Sequence, residues 1–424
     1  MLERYFLKPE SVDRIRACWL GAAIEEYVGD LSEHGYAPSS ITRRVPVLMH
    51  FADFAARHGA TCPDDLPAQV EPFVQAWLDN HDHQEEGHGR RGEGRSLADT
   101  LRNPIRQLLR RLLPQDRWPG YAVEPWPFAE DAPGFFEALR EERGLRPATL
   151  ALYACHLRGF ERYLQGCGAV VLGTLSPAVL EGFLSASGAT MAPGSLGILC
   201  AHLRIFLRYL HREGLLGTDL SVHIDSPRQY RLATLPRAIT WDEVAQLLGG
   251  VDRRSALGKR DYALLVLFTT YGLRAREVAA LTLDDLDWAH DRLMIPARKG
   301  GHASSYPLSP GVGEALIAYL QDGRVASTRR AVFLRAHAPH TPMTHAAISG
   351  CVRKRLQRAG IAVARPGSHT LRHSCVTRLV EAGFSLKSIG DYVGHSHPKS
   401  TQIYTKLDLE ALRELAFSDG EALL

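Results

Sequence analysis

One stretch of this chain is written twice. Gly35-Tyr36-Ala37-Pro38-Ser39-Ser40-Ile41 matches Gly144-Leu145-Arg146-Pro147-Ala148-Thr149-Leu150, and the register runs on without a gap. Leu48 falls opposite Leu157, Phe51 opposite Phe160, Phe54 opposite Tyr163, and Gly59-Ala60 opposite Gly168-Ala169. Apolar residues recurring at this spacing lay a stripe along one face of a helix. A proline just before the run suits a helix start. After a change of spacing the match resumes: Ile105, Arg106, Leu109, Arg110 and Leu112 align with Leu203, Arg204, Leu207, Arg208 and Leu210. A repeated amphipathic pattern predicts repeated helical units, here two in tandem. The expected division is one helical unit over 1–120, a second over 130–215, a linker over 216–238 and a further domain over 239–424. The insertion from His81 to Arg95 occurs only in the first unit. Its His81, His83 and His88 have no cysteine or carboxylate framework around them, so the segment reads as a polar loop and not a metal tract. The proline-rich stretch 121–133 reads as a first linker.

At 424 residues the chain is too long for one core. No apolar run approaches the ~20 residues of a membrane span, and the N-terminus lacks the pattern of a secretory signal. The seven cysteines are scattered singly, which favours reduced thiols in a cytoplasmic protein over disulfides or a zinc knuckle. The net charge of +3 conceals an uneven distribution. Residues 1–120 carry −3 and residues 121–230 carry −2, while residues 231–424 hold 26 basic and 18 acidic side chains, or +8. That field suits a polyanionic partner on the C-terminal third.

The same third carries six residues suited to one reaction. Arg274 sits in Tyr271-Gly272-Leu273-Arg274, Lys299 precedes Gly300-Gly301, and His369 and Arg372 are three apart. His395 follows a glycine, and Tyr404 comes nine residues later. The surrounding pattern opens with a capping box at Thr240. Helices are expected over 262–270, 275–281, 344–359, 368–382, 386–393, 400–406 and 407–416. Strands are expected over 287–297, around a turn at His290-Asp291, and over 304–308.

At their spacing His369 and Arg372 share a helix face. Ser368 suits the N-cap, and first-turn N–H groups favour an anion. An arginine such as Arg274 clamps two phosphate oxygens bidentately, as a lysine cannot, and Glu277 is placed to orient it. Lys299, one of only seven lysines, stands by a tight turn and can pass a proton to a departing oxygen. Tyr404 is the candidate nucleophile: a free phenol has a pKa near ~10, which neighbouring cations lower. Each residue alone also has a bland role, as surface arginine, solvated hairpin lysine or core tyrosine. Together they can hold a phosphodiester and attack it without a metal.

In the segments YGLRAREVAAL, ARKGGHASSYPLS, HTLRHSCVTRLVEAG and IGDYVGHSHPKSTQIYTKL, residues 240–410 resemble the catalytic domain of the tyrosine recombinase (phage integrase, Xer-like) family. The helical units resemble that family's SAM-like core-binding domain. The resemblance implies a mainly α fold with a small antiparallel β-sheet (α+β). It implies Tyr404 as nucleophile, Lys299 as general acid, His369 assisting proton transfer, and Arg274, Arg372 and His395 stabilising the transition state. It further implies double-stranded DNA as partner, a homotetramer acting on two sites through a Holliday junction, a 3′-phosphotyrosine intermediate, and no metal, ATP or other cofactor. Integration, excision, transposition and dimer resolution stay open, as do accessory proteins or other recombinases as partners. The chain departs from the family pattern in its second helical unit and in the Gly-Gly-His-Ala-Ser-Ser run after Lys299, which lacks the usual basic residues.

Arg102, Arg106 and Arg110 recur every four residues, as do Arg204, Arg208 and Arg212. Like charges so placed repel, and a row of phosphates would relieve them, so both rows are expected to face DNA. The tail through Leu407, Leu409, Leu412 and Leu415 is amphipathic, suited to docking in cis or in trans. A type IB topoisomerase and a non-catalytic DNA-binding protein are the alternative functions.

Overall fold

The computed structural model describes residues 1–81, 97–114, 125–168, 172–228, 238–296 and 303–394. Within 1–114 run helices α1 (Pro9–Ala17), α2 (Gly21–Glu33), α3 (Pro38–Arg57), α4 (Leu66–His81) and α5 (Leu97–Leu112). Then come α6 (Phe135–Glu141), α7 (Pro147–Gly166), α8 (Pro177–Gly188) and α9 (Pro193–Arg212). The repeat is visible in these elements. α3 and α7 each span 20 residues, start on the matched proline, and end before the matched Gly59 and Gly168, whose φ values of +86° and +90° only glycine adopts freely. Ile41, Leu48 and Phe51 are buried, and so are Leu150, Leu157 and Phe160. Burying each such side chain contributes about 1.5–3 kcal/mol, which is why the apolar stripe and not the surface residues was duplicated.

Two compact units result: Gln115–Ala233 forms one, and Met1–Pro114 joins Thr234–Leu424 in the other. The expected linkers are only partly linkers. Phe128 and Ala132 lie in the core of the second helical unit, and Trp126 stacks on Phe136 at 4.2 Å. On the far side Leu216, Leu220 and Ile224 enter the same core. Both stretches carry large apolar side chains but no period, so burial and not periodicity decides their place.

The C-terminal part runs α10 (Trp241–Gly249), α11 (Ala256–Tyr271), α12 (Ala275–Ala280), strands β1 (Leu286–Asp287), β2 (Arg292–Ile295) and β3 (Ser304–Pro307), then α13 (Pro310–Asp322), α14 (His345–Arg358), α15 (Ser368–Glu381) and α16 (Leu386–Val393). The three strands form one antiparallel sheet in the order β1-β2-β3, with Leu293 opposite Tyr306 and Ile295 opposite Ser304. The capping box is present: Thr240 Oγ1 accepts from Glu243 N, and Glu243 Oε2 accepts from Thr240 N at 2.8 Å. Helix α11 begins earlier than its apolar run, because Ser255 Oγ caps it by accepting from Gly258 N. Leu264, Leu267 and Phe268 on α11, Leu316 on α13 and Leu371 on α15 meet in one core. No described helix is long and apolar enough to cross a membrane.

Candidate active site

Of the six predicted residues, Arg274, His369 and Arg372 fall among the described residues, as does Glu277; Lys299, His395 and Tyr404 lie outside them, with the tail leucines and residues 82–95 of the histidine-rich insertion. The site grows from the end of α11. Gly272 stops that helix in the left-handed region, at φ +58°. A Cβ there would take a strained φ and crowd Val393 Cγ1 at 3.2 Å and Cys375 Sγ at 3.3 Å, so the conformation favours glycine. The turn buries Leu273 and leaves Arg274 extended at the N-cap of α12. Buried Glu277 then grips Arg274 twice: Oε2 accepts from its backbone N and Oε1 from Nη1, both at 2.8 Å.

The other arginine arrives from α15. Arg372 is 5% exposed. Its Nη1 donates to Gly272 O, and its Nη2 donates to Val393 O at 2.8 Å. Arg274 Nη2 donates to the next carbonyl, Gly394 O, also at 2.8 Å. Two guanidinium groups far apart in sequence thus seat on consecutive carbonyls at the end of α16. Those carbonyls lack helical partners and carry the negative end of the helix dipole, which favours cations. A guanidinium has five N–H donors, so the bonds to Glu277 and Gly394 O leave Arg274 further capacity for an anion, and its side chain is 25% exposed.

His369 stands exposed in the first turn of α15. Its pKa is lowered, first by desolvation and then by the positive charges of Arg372 and Arg274. The ring is therefore neutral at neutral pH and able to accept a proton. The N-cap is Gly367 and not Ser368, which is the first helical residue. The Ser368 hydroxyl instead lies 3.4 Å from Ser349 Oγ on α14.

Three tyrosines overlooked in the sequence tie the sheet to this centre. Tyr306 on β3 donates to Tyr392 O on α16. Tyr392 OH donates to Thr270 O at 3.0 Å, and Tyr271 OH donates to Pro307 O at 2.8 Å while accepting from Ser309 N. All three stand inside the motifs quoted above, Tyr271 heading the first, Tyr306 within the second and Tyr392 within the last, and that was the available signal. Burial pushes the thiol of Cys375 up to about 12, so it serves packing and not nucleophilic chemistry.

The arginine rows are engaged within the protein. Arg102 Nη2 donates to Glu71 Oε2 at 2.6 Å, and Arg106 Nη2 lies 3.5 Å from Glu71 Oε1. Arg204 donates to Ile224 O and Ser226 Oγ, Arg208 to Ser221 Oγ, and Arg212 to Glu142 and Glu213. Arg110 is exposed. Carboxylates and carbonyls from neighbouring segments thus do much of the charge neutralisation that DNA was expected to supply. Among the described residues no group of three or more His, Cys, Asp or Glu is placed to hold a metal ion.

The profile described as Phage integrase family matches residues 237–410, and that of the phage integrase N-terminal SAM-like domain matches residues 133–214. The chain is 32% identical to the tyrosine recombinase XerD of Lacticaseibacillus casei, over 66% of this chain and 94% of that protein. It is 28% identical, over 100% of this chain and 97% of the other, to a Sinorhizobium fredii protein named as an integrase/recombinase, y4rF. Among solved structures, XerH site-specific recombinase bound to a palindromic difH substrate shares the fold, with a TM-score of 0.55 at 16% identity over 84% of this chain and 97% of that one. Paired arginines on a helix end, a helical domain ahead of them and a relative matched over nearly its whole length lead to one assignment: the chain belongs to the phage integrase family of tyrosine recombinases and is a site-specific DNA recombinase, an enzyme that breaks and rejoins DNA.

Proposed function

We propose that the recombinase works through Tyr404, with Arg274, Lys299, His369, Arg372 and His395 as its catalytic partners. The phenolic oxygen of Tyr404 attacks phosphorus in the DNA backbone, His369 receives the phenolic proton, and the P–O5′ bond breaks as Lys299 protonates the departing oxygen. A 3′-phosphotyrosine ester keeps the bond energy, so attack by a 5′-hydroxyl reverses each step without ATP. Arg274, Arg372 and His395 hold the non-bridging oxygens, where charge grows in the transition state. One observation supports this reading above the rest: Arg274 and Arg372 meet on the carbonyls of Val393 and Gly394, the residues leading into His395. A neutral His369 beside them fits the proton acceptor.

By the same reading the enzyme acts in the cytoplasm as a homotetramer on two duplex sites, through a Holliday junction. The division at 1–120, 130–215, 216–238 and 239–424 is part of this proposal, with Phe128, Leu216, Leu220 and Ile224 packed from the flanking segments into the core of the second unit. DNA contact by the arginine rows belongs here too, and requires phosphates to displace Glu71 from Arg102 and Arg106 and Glu142 from Arg212.

The test is a nicked suicide substrate built from the DNA flanking the protein's own gene. The unaltered protein accumulates a covalent adduct, and Tyr404→Phe binds the same DNA and forms none. An adduct that persists in Tyr404→Phe refutes the assignment of the nucleophile.

A further inference from the structure

Helix α15 carries His369 and Arg372, and a buried hydroxyl on the same helix has no part in the site described above. Ser374 is 2% exposed in the helix interior, a place where alanine fits without burying a polar group. Its Oγ accepts from Ile239 N at 2.8 Å and donates to Thr370 O at 3.2 Å. Ile239 is buried in the same core as Leu264, Leu267 and Phe268 of α11. A buried backbone N–H has to find an acceptor, and here the acceptor is a side chain 135 residues further along the chain.

The bonding continues toward the site. Thr370, also buried, donates from Oγ1 to Arg365 O at 3.3 Å, so the first turn of α15, with His369 in it, is held from both ends. One turn beyond Ser374, the guanidinium of Arg378 lies 3.8 Å over the ring of Trp241, the first residue of α10. Residues four apart share a helix face, so Thr370, Ser374 and Arg378 form one stripe, and it meets residues 239–241. Arg372 leaves the helix on the other side. At about 100° per residue, the step from Arg372 to Ser374 turns the helix by roughly 200°. Arg372 thus pulls α15 toward Gly272 O and Val393 O, while Ser374 secures it from behind. A helix gripped on one side alone can roll about its axis, and a roll carries the guanidinium with it.

We propose that Ser374 is a positioning residue for strand cleavage: its bond to Ile239 stops α15 from rolling and keeps Arg372 and His369 in register with Arg274 around the phosphate. Ser374 touches no substrate and acts only through the helix. The proposal rests on the reading of Arg372 and His369 as catalytic partners, and not on Tyr404.

The measurement is single-turnover strand cleavage by full-length protein, once with the ordinary scissile phosphate and once with a methylphosphonate in its place. The methyl group replaces a charged non-bridging oxygen, so less charge grows for Arg372 to neutralise. Ser374→Ala cleaves the phosphodiester roughly tenfold to a hundredfold more slowly than the parent, as a misplacement of about 1 Å can cost. On the methylphosphonate its deficit shrinks, and Ser374→Thr, which keeps the hydroxyl, follows the parent on both substrates. A role in the fold alone does not distinguish the substrates: an equal deficit on both, or none on either, overturns the proposal. The final amount of cleaved strand counts active molecules, so partial misfolding lowers this amount and leaves the rate constant unchanged. If Ser374→Ala does not fold, Arg378→Met decides. It keeps an apolar stem over Trp241 without the cation, and a deficit that shrinks on the methylphosphonate supports the proposal, while one equal on both substrates, or none, overturns it. Arg372→Ala is the reference. Recovery on the methylphosphonate there and not in Ser374→Ala overturns the role of Ser374 alone. No recovery in Arg372→Ala overturns the role of Arg372 itself, and that of Ser374 with it.

Discussion

In the role proposed for Arg274, as a phosphate clamp, its grip is as good as the carboxylate behind it is fixed. Glu277 is buried, spends one oxygen on the backbone of Arg274 and the other on its guanidinium, and so sets both where the residue starts and where it points. Glu277→Gln keeps the size of the side chain but sets an amide N–H against a cationic donor. The lost charge-assisted bond contributes about 1.5–3 kcal/mol, which converts to roughly a ten- to hundredfold slower cleavage step if all of it reaches the transition state. Single-turnover cleavage of a suicide substrate measures this, with DNA affinity as the control that stays constant. A rate within about twofold of the parent would show that Arg274 finds its position without Glu277.

Among elements, the β2–β3 hairpin matters because its connection carries Lys299. Tyr306, Tyr392 and Tyr271 join β3 to α16 and to the end of α11, whose terminal carbonyls also seat the two arginines. Tyr306→Phe removes one hydroxyl and leaves the aromatic packing. If the brace positions Lys299 as the proposed general acid, this variant cleaves ordinary DNA slowly. It then recovers on a substrate with sulfur at the 5′ bridging position, because a thiolate of pKa near ~8.5 leaves without a donated proton. Equal slowing on both substrates would mean that the brace serves something other than proton delivery. This brace was illegible beforehand for a physical reason. Each link joins a side-chain hydroxyl to a backbone oxygen far along the chain, and backbone oxygens have no sequence signature. The carbonyls of Val393 and Gly394 escaped notice in the same way. Arg274, Glu277, His369 and Arg372 were legible because several side chains had to recur in a fixed order. The partners of the arginine rows were not legible, because a charge spacing does not reveal whether Glu71 or a phosphate will answer it.

At the scale of the whole molecule, the duplicated stripe was readable because burial repeats where the pattern repeats, as Phe51 and Phe160 do. The joining of residues 1–114 with 234–424 was not readable, since contacts distant in sequence leave no period. The unit Gln115–Ala233 also holds an acid-sensitive pair. His202 is 7% exposed, stacks on Tyr153 at 3.7 Å, and shares one proton with His156 across 3.0 Å between their Nδ1 atoms. Desolvation, then the neighbouring His156, lowers the pKa of His202 to about 4, and desolvation lowers that of His156. An unfolded histidine titrates near ~6.5. Above that pH neither state takes up the proton and stability is full. As pH falls from about 6.5 to about 4 the unfolded chain gains a proton that folded His202 refuses, which costs on the order of 3 kcal/mol. Below the folded value the loss stops. His202→Phe keeps a ring on Tyr153 and removes the titrating nitrogen. Thermal unfolding of the full chain between those two pH values should therefore fall less steeply in His202→Phe than in the parent. Parallel curves would mean that the pair takes up protons as readily folded as unfolded, and that the acid sensitivity of this unit lies elsewhere.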